Sequence, residues 1–101
     1  MELARVVGTV VSSHKAEDMI GLKLSLVENV DPKTMKGMGS YAVAIDAVGA
    51  NTGEIIFYVT GSSARYTDAG KGKPADAAIV AIVDSVEVEG RQTYGFTENS
   101  P

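Results

Sequence analysis

The side chains with chemical potential in this sequence are few and scattered. Gly61-Ser62-Ser63-Ala64 sets two hydroxyls in a small-residue corner. A nucleophile elbow needs a closing glycine in the pattern G-x-S-x-G, and that glycine is absent. The one histidine, His14, lies far upstream in a polar run and reads as a solvated strand-end residue. Asp68-Ala-Gly-Lys-Gly-Lys73 has the glycines and lysines of a phosphate loop. It lacks the Ser or Thr that should follow the lysine and the apolar helix that should follow the loop, so it reads as a basic loop. Glu87 and Glu89 are two apart and fall on one face of a strand. Paired carboxylates can serve acid–base chemistry. The plainer reading is a charged, solvated sheet edge that discourages aggregation.

Metal sites lack material. The chain has no cysteine and a single histidine, and no D-x-[DN]-x-[DN]-G loop supplies oxygen ligands. The expectation is a protein with no catalytic residues, no cofactor and no metal, and not an enzyme.

Composition narrows the class further. The chain has 101 residues, enough for one domain, and a formal net charge of −4. An acidic balance disfavours a phosphate-backbone partner, which wants clustered Lys and Arg. Met1-Glu-Leu-Ala-Arg5 lacks the basic stretch and apolar core of a signal peptide. No apolar run approaches the roughly 18 residues of a membrane-spanning helix. The expectation is a soluble intracellular protein with no membrane partner.

The elements that must position these residues are strands. Leu3 to Ser12 is rich in Val and Thr, and Gly8 inside it predicts a bulge or bend. Leu22 to Leu26 alternates strictly, and the strand continues to Val30 and stops at Asp31-Pro32. Lys33 to Ser40 reads as an exposed loop whose Met35 and Met38 fold back over a barrel mouth. Tyr41 to Val48 is a third strand, Gly49 to Gly53 a turn, and Glu54 to Thr60 a fourth strand. Ser62 or Ser63 is placed to cap a short helical turn through Tyr66. Thr67 to Pro74 is loop, Ala77 to Val88 a fifth strand, and Gln92 to Thr97 a short last one. Residues 98–101 are expected to fray, leaving one domain over 1–97. Many short strands with close turn signals predict an all-β fold, a five-stranded Greek-key barrel of the oligonucleotide/oligosaccharide-binding (OB) type.

Several segments are apolar on both faces: Val6-Val7 with Val10-Val11, Ile55 to Val59, and Ala78 to Val83. Adjacent strand residues point to opposite sides of a sheet. One side fills the barrel, and the chain has almost no helical pattern to cover the other. Large exposed apolar patches are rare on monomers, so homo-oligomerisation is expected. Ile79, Val80, Ile82 and Val83 should divide by alternation between the interior and a neighbouring subunit.

Four segments in order carry a resemblance: Ala4 to Ser13, Asp46-Ala-Val-Gly-Ala-Asn-Thr-Gly-Glu54, Gly61-Ser-Ser-Ala-Arg65, and Lys73 to Asp84. Together they resemble the EutN/CcmL family, the vertex proteins of bacterial microcompartment shells, across roughly Met1 to Val88. The resemblance implies an OB-like barrel with a short helical turn, assembled as a ring. It implies a structural protein whose homo-pentamers close an icosahedral shell between hexameric shell proteins, located in the bacterial cytoplasm within that shell. The family's turn commonly reads Gly-Ala-Gly, where this chain has Gly49-Ala50-Asn51. Asn is the non-Gly residue that best tolerates positive φ, so the same turn is expected with a polar side chain added. Asp46 is expected to brace that turn or to meet Arg65. Arg65 is expected to make an inter-subunit or loop-fixing contact, and Ser62 and Ser63 to cap. The alternative function is a small OB-type module binding single-stranded nucleic acid or oligosaccharide. Nucleic acid is not the expected partner, because stacking aromatics beside a positive groove are missing.

Overall fold

The computed structural model describes residues 1–11, 23–61 and 77–95. Among these residues seven strands run in chain order: β1 (Glu2–Val10), β2 (Lys23–Val30), β3 (Gly37–Asp46), β4 (Ile55–Thr60), β5 (Ala77–Ile82), β6 (Val86–Val88) and β7 (Arg91–Tyr94). The first five close into a barrel in the order β1-β2-β3-β5-β4, and β6 and β7 form a separate hairpin. β3 and β5 are parallel, and the other neighbouring pairs in the barrel are antiparallel. Closure removes the unpaired edges that a small sheet would otherwise expose.

Alternation builds the interior. Ala4 and Val6 of β1, Val27 of β2, Ala44 of β3, Ile56 and Tyr58 of β4, and Ala77 and Ile79 of β5 form one buried cluster. Ser25 is fully buried beside them. Alanines and a serine on several strands leave room for the isoleucines and the tyrosine, as a narrow barrel requires. Among the described residues, Tyr58 is the one large polar side chain inside. Its hydroxyl donates to Asn29 Oδ1 at 2.6 Å, and Asn29 Nδ2 donates to Ser40 Oγ at 2.9 Å. Burial, above all, raises the Tyr58 pKa above the ordinary phenol value, and the Glu2 charge adds to the rise.

The bulge predicted at Gly8 is present. Val6 pairs with Val27 and Gly8 with Leu26, leaving Val7 unpaired. A second bulge has no signal in the sequence pattern. Tyr58 pairs with Ile79 and Phe57 with Ala81, leaving Val80 as the extra residue. That residue changes the phase of the strand, so that Ile79 and Ile82 both pack against the interior cluster. The simple division of Ile79, Val80, Ile82 and Val83 is therefore broken at Val80.

Several element boundaries differ from expectation. Strand β3 begins at Gly37, inside the segment read as loop, because Gly37 pairs with Val30 and Tyr41 with Glu28. Met38 is exposed, whereas Met35 is buried with Val30 and Ile55. The strand read as Ala77 to Val88 stops at Ile82, and the last strand is Arg91–Tyr94 rather than Gln92 to Thr97. After Asp84-Ser85 the chain turns back as the β6–β7 hairpin, whose Val86 and Tyr94 pack with Leu3 and Val83 against the second buried cluster of Val30, Met35 and Ile55. Thr93 Oγ donates to the Pro32 carbonyl at 2.6 Å and ties the hairpin down. Part of the outer surface of β4 is thus covered by the chain itself. Glu89 is not on the strand face with Glu87 but in the β6–β7 turn at φ 53°. The predicted helical turn, the Thr67–Pro74 loop and the tail lie outside the described residues.

Candidate assembly site

The one polar cluster of consequence in the described barrel is built on Asp46, the last residue of β3. The β2–β3 register sets Lys23 opposite Asp46. Lys23 Nζ lies 3.1 Å from Asp46 Oδ2 and donates to the Ala50 carbonyl at 2.8 Å. The Asp46 side chain is fully buried and accepts three backbone bonds. Val48 N and Gly49 N donate to Oδ1 at 2.9 and 3.0 Å, and Ala50 N donates to Oδ2 at 2.9 Å. These donors explain why β3 ends at Asp46, although apolar residues continue to Val48. The amides that would extend a ladder are captured by the carboxylate, as short polar side chains commonly do in turns.

The rest of the turn is fastened to β1. Gly53 N donates to the Val6 carbonyl at 2.7 Å, and Val6 N donates to the Glu54 carbonyl at 2.9 Å. Ala50 packs into the barrel cluster and seals it. Gly49 and Gly53 sit at φ +82° and +95°, where a Cβ is strained. Asn51 does not use its tolerance of positive φ: the described non-Gly residues with positive φ are Met35 and Glu89. Instead, Asn51 N donates to Glu54 Oε1 at 2.6 Å and its carbonyl accepts from Glu54 N at 3.0 Å. Its side chain is exposed.

Of the other residues singled out from sequence, Ile79 is buried in the interior, and Val80, Ile82 and Val83 are half-buried. Ser62, Ser63 and Arg65 lie outside the described residues, as do His14 and the Asp68–Lys73 loop. Sequence reasoning missed Lys23. The available signal was a lone cation opening one strand and a lone carboxylate ending the next, and it becomes a contact only once the register is known.

The outer surface carries the remaining information. Val7, Tyr41, Val43 and Val48 are exposed apolar side chains at 37, 59, 48 and 39%. Val7 is on β1, one of the three strands whose double apolarity argued for assembly, and none of the four is on β4 or β5, the other two. On those strands Phe57, Val59, Val80 and Ala81 are half-buried.

A closed barrel, a clamped turn and apolar outer faces define a small OB-type building block. The chain belongs to the EutN/CcmL family: the family model described as "Ethanolamine utilisation protein EutN/carboxysome" matches residues 1–84. The carboxysome shell vertex protein CcmL of Synechococcus elongatus is 39% identical over 100 residues, covering 99% of this chain and all of the relative. The solved structure of Gloeobacter violaceus CcmL superposes with a TM-score of 0.87 at 38% identity, covering 94% of this chain and 97% of that one. The GrpN pentameric microcompartment shell protein from Rhodospirillum rubrum gives a TM-score of 0.78 at 44% identity, covering 87% of this chain and 99% of that one.

Proposed function

We propose that this chain is a structural subunit of a bacterial microcompartment shell, assembling as a homo-pentamer that occupies the shell vertices. The observation that carries this reading is family membership along nearly the whole chain, with relatives that are shell vertex proteins. Physical reasoning supports it. A sheet of six-fold tiles is flat and cannot close, and five-fold units introduce the curvature needed at corners. A ring made by repeating one head-to-tail contact is a heterologous interface that closes. Hexameric shell proteins are the neighbouring partners in this reading, and the bacterial cytoplasm is the compartment. The function is mechanical, so no catalytic group is required.

In this reading the Asp46 clasp serves to keep the subunit rigid, because the turn is held both by the carboxylate and by β1. Binding of single-stranded nucleic acid finds little support. OB domains bind oligonucleotides on the β2–β3 face, which among the described residues presents Leu26, Val43 and Tyr41 rather than the basic groove and row of aromatics such binding uses.

Two measurements test the proposal. Native mass spectrometry of the purified chain should give a species of five subunits, and a monomer at micromolar concentration would count against it. Electron microscopy of co-expressed shell tiles should show closed polyhedra only when this chain is present. Shells that close equally well without it would refute the vertex role.

A further inference from the structure

The family match stops at residue 84, before the β6–β7 hairpin, so membership in the family does not account for the hairpin. An open cleft of about 330 Å³ lies between the hairpin and the β2–β3 loop. Val88, Glu89, Arg91 and Thr93 line it from the hairpin, and Lys33 lines it from the loop. Ligand sites commonly span roughly 300–1,000 Å³, so the cleft has room for a small segment.

The walls are held in place. Lys33 N donates to Asp31 Oδ1 at 2.8 Å, Met35 N to the Asp31 carbonyl at 2.6 Å, and Asp31 N to the Lys36 carbonyl at 3.0 Å. Arg5 Nη1 donates to the Met35 carbonyl at 3.1 Å. The Thr93 bond to the Pro32 carbonyl then fixes the hairpin to this loop. A site whose walls are already ordered loses little freedom on binding.

The lining is charged, with one exposed cation from each wall, Lys33 and Arg91. Glu89 reaches Lys33 at 3.7 Å, with 80% of its side chain exposed and 62% of that of Lys33. So exposed a pair is worth little. It shows that a carboxylate fits on Lys33 and is held there loosely. Glu89 also sits where its type is disfavoured. With Gly90 it makes a two-residue hairpin turn at φ 53° and 80°, where Asn or Asp before Gly is preferred. The longer glutamate reaches across to the loop.

We propose that the cleft docks an acidic peptide segment of a partner protein, one carboxylate on Arg91 and another displacing Glu89 from Lys33. Charge selects the occupant. The planar fork of an arginine matches a carboxylate, and Val88 gives the segment an apolar contact. Glu89 is an internal competitor, which a segment carrying several carboxylates displaces better than a single free anion does. A nucleic acid is a poorer fit, because Glu89 and the net charge of −4 repel a phosphate chain. The proposal is independent of how many subunits the ring holds.

The probe is a dye-labelled tetraglutamate with both ends blocked, titrated with the full chain and read by fluorescence anisotropy. Binding should be saturable. Lys33→Gln and Arg91→Gln should each weaken it about fivefold, and Glu89→Gln should strengthen it by a similar factor. Glu87→Gln is the control. It removes the same charge from the other face of the hairpin, where Glu87 pairs with Gln92, and should leave binding nearly unchanged. All four variants should assemble as the wild type does by native mass spectrometry. Any of four results overturns the proposal: no saturable binding by the wild type, equal gains in Glu87→Gln and Glu89→Gln, a labelled oligothymidylate that binds as tightly as the peptide, or inorganic phosphate that displaces the peptide at equal charge concentration. The third would make this a nucleic-acid site, and the last a site for free anions.

Discussion

Lys23 and Asp46 begin one strand and end the next, and the barrel register brings them to 3.1 Å. The pair is asymmetric. The carboxylate is fully buried and carries three backbone bonds, while the lysine side chain keeps 44% of its surface in water.

That asymmetry ranks two substitutions. Asp46→Ala leaves one buried and two part-buried amides without their acceptor, and should cost about 2–4 kcal/mol. Lys23→Ala removes a half-exposed ion pair and one bond to Ala50, and should cost about 1 kcal/mol or less. Urea unfolding midpoints of the two variants check the order. Equal losses would mean that the ion pair, rather than the backbone bonds, is what matters.

Gly49 and Gly53 both lie at positive φ with open space where a Cβ would be built. Replacement by alanine therefore meets backbone strain and no clash, and should cost about 1–2 kcal/mol at each position. Asn51→Gly should change stability by only a few tenths of a kcal/mol, because Asn51 works through its backbone groups and glycine mainly loosens the unfolded chain. Thermal melts of the three variants measure this.

Tyr58→Phe removes the 2.6 Å bond to Asn29 and should cost about 1 kcal/mol at neutral pH. The penalty should depend on pH. The folded chain holds the Tyr58 proton more tightly than the unfolded chain, chiefly because the ring is buried. This contribution is fully present below the unfolded phenol value of about 10 and is lost as pH rises through the folded value. Wild type should therefore lose stability faster than Tyr58→Phe above about pH 10. Parallel curves across that range would refute the linkage.

Truncation after residue 85 tests the hairpin. It removes Val86 and Tyr94 from the cluster of Val30, Met35 and Ile55 and ends the Thr93–Pro32 bond. The barrel interior does not include these residues. The shortened chain should keep its β circular dichroism, melt at a lower temperature and bind a hydrophobic dye. Complete unfolding would show that the second cluster is integral to the barrel.

Much of this fold was legible along the chain. Gly8 inside a valine run marked the β1 bulge, Asp31-Pro32 ended β2, and Ile55 to Val59 could only be a strand covered on both faces. Such features depend on local sterics and on side-chain period, which a sequence displays directly. The four segments that resemble EutN/CcmL proteins are legible for the same reason: they set small residues and glycines at fixed spacing.

Other features depend on which strands meet and in what register. The Lys23–Asp46 contact joins residues on different strands. The end of β3 at Asp46 follows from amides captured by a carboxylate, not from any change in apolar pattern. The bulge at Val80 overturns the alternation read for Ile79 and Ile82, since one unpaired residue exchanges the two faces of everything beyond it. The break after Ile82 and the return of the hairpin over Ile55 likewise have no periodic signal. By itself the sequence determined an all-β chain with more apolar surface than one barrel interior can hold. Tertiary structure alone decided where that excess lies: part under the chain's own hairpin, part on the outside of the barrel, because closure and register assign each side chain a face.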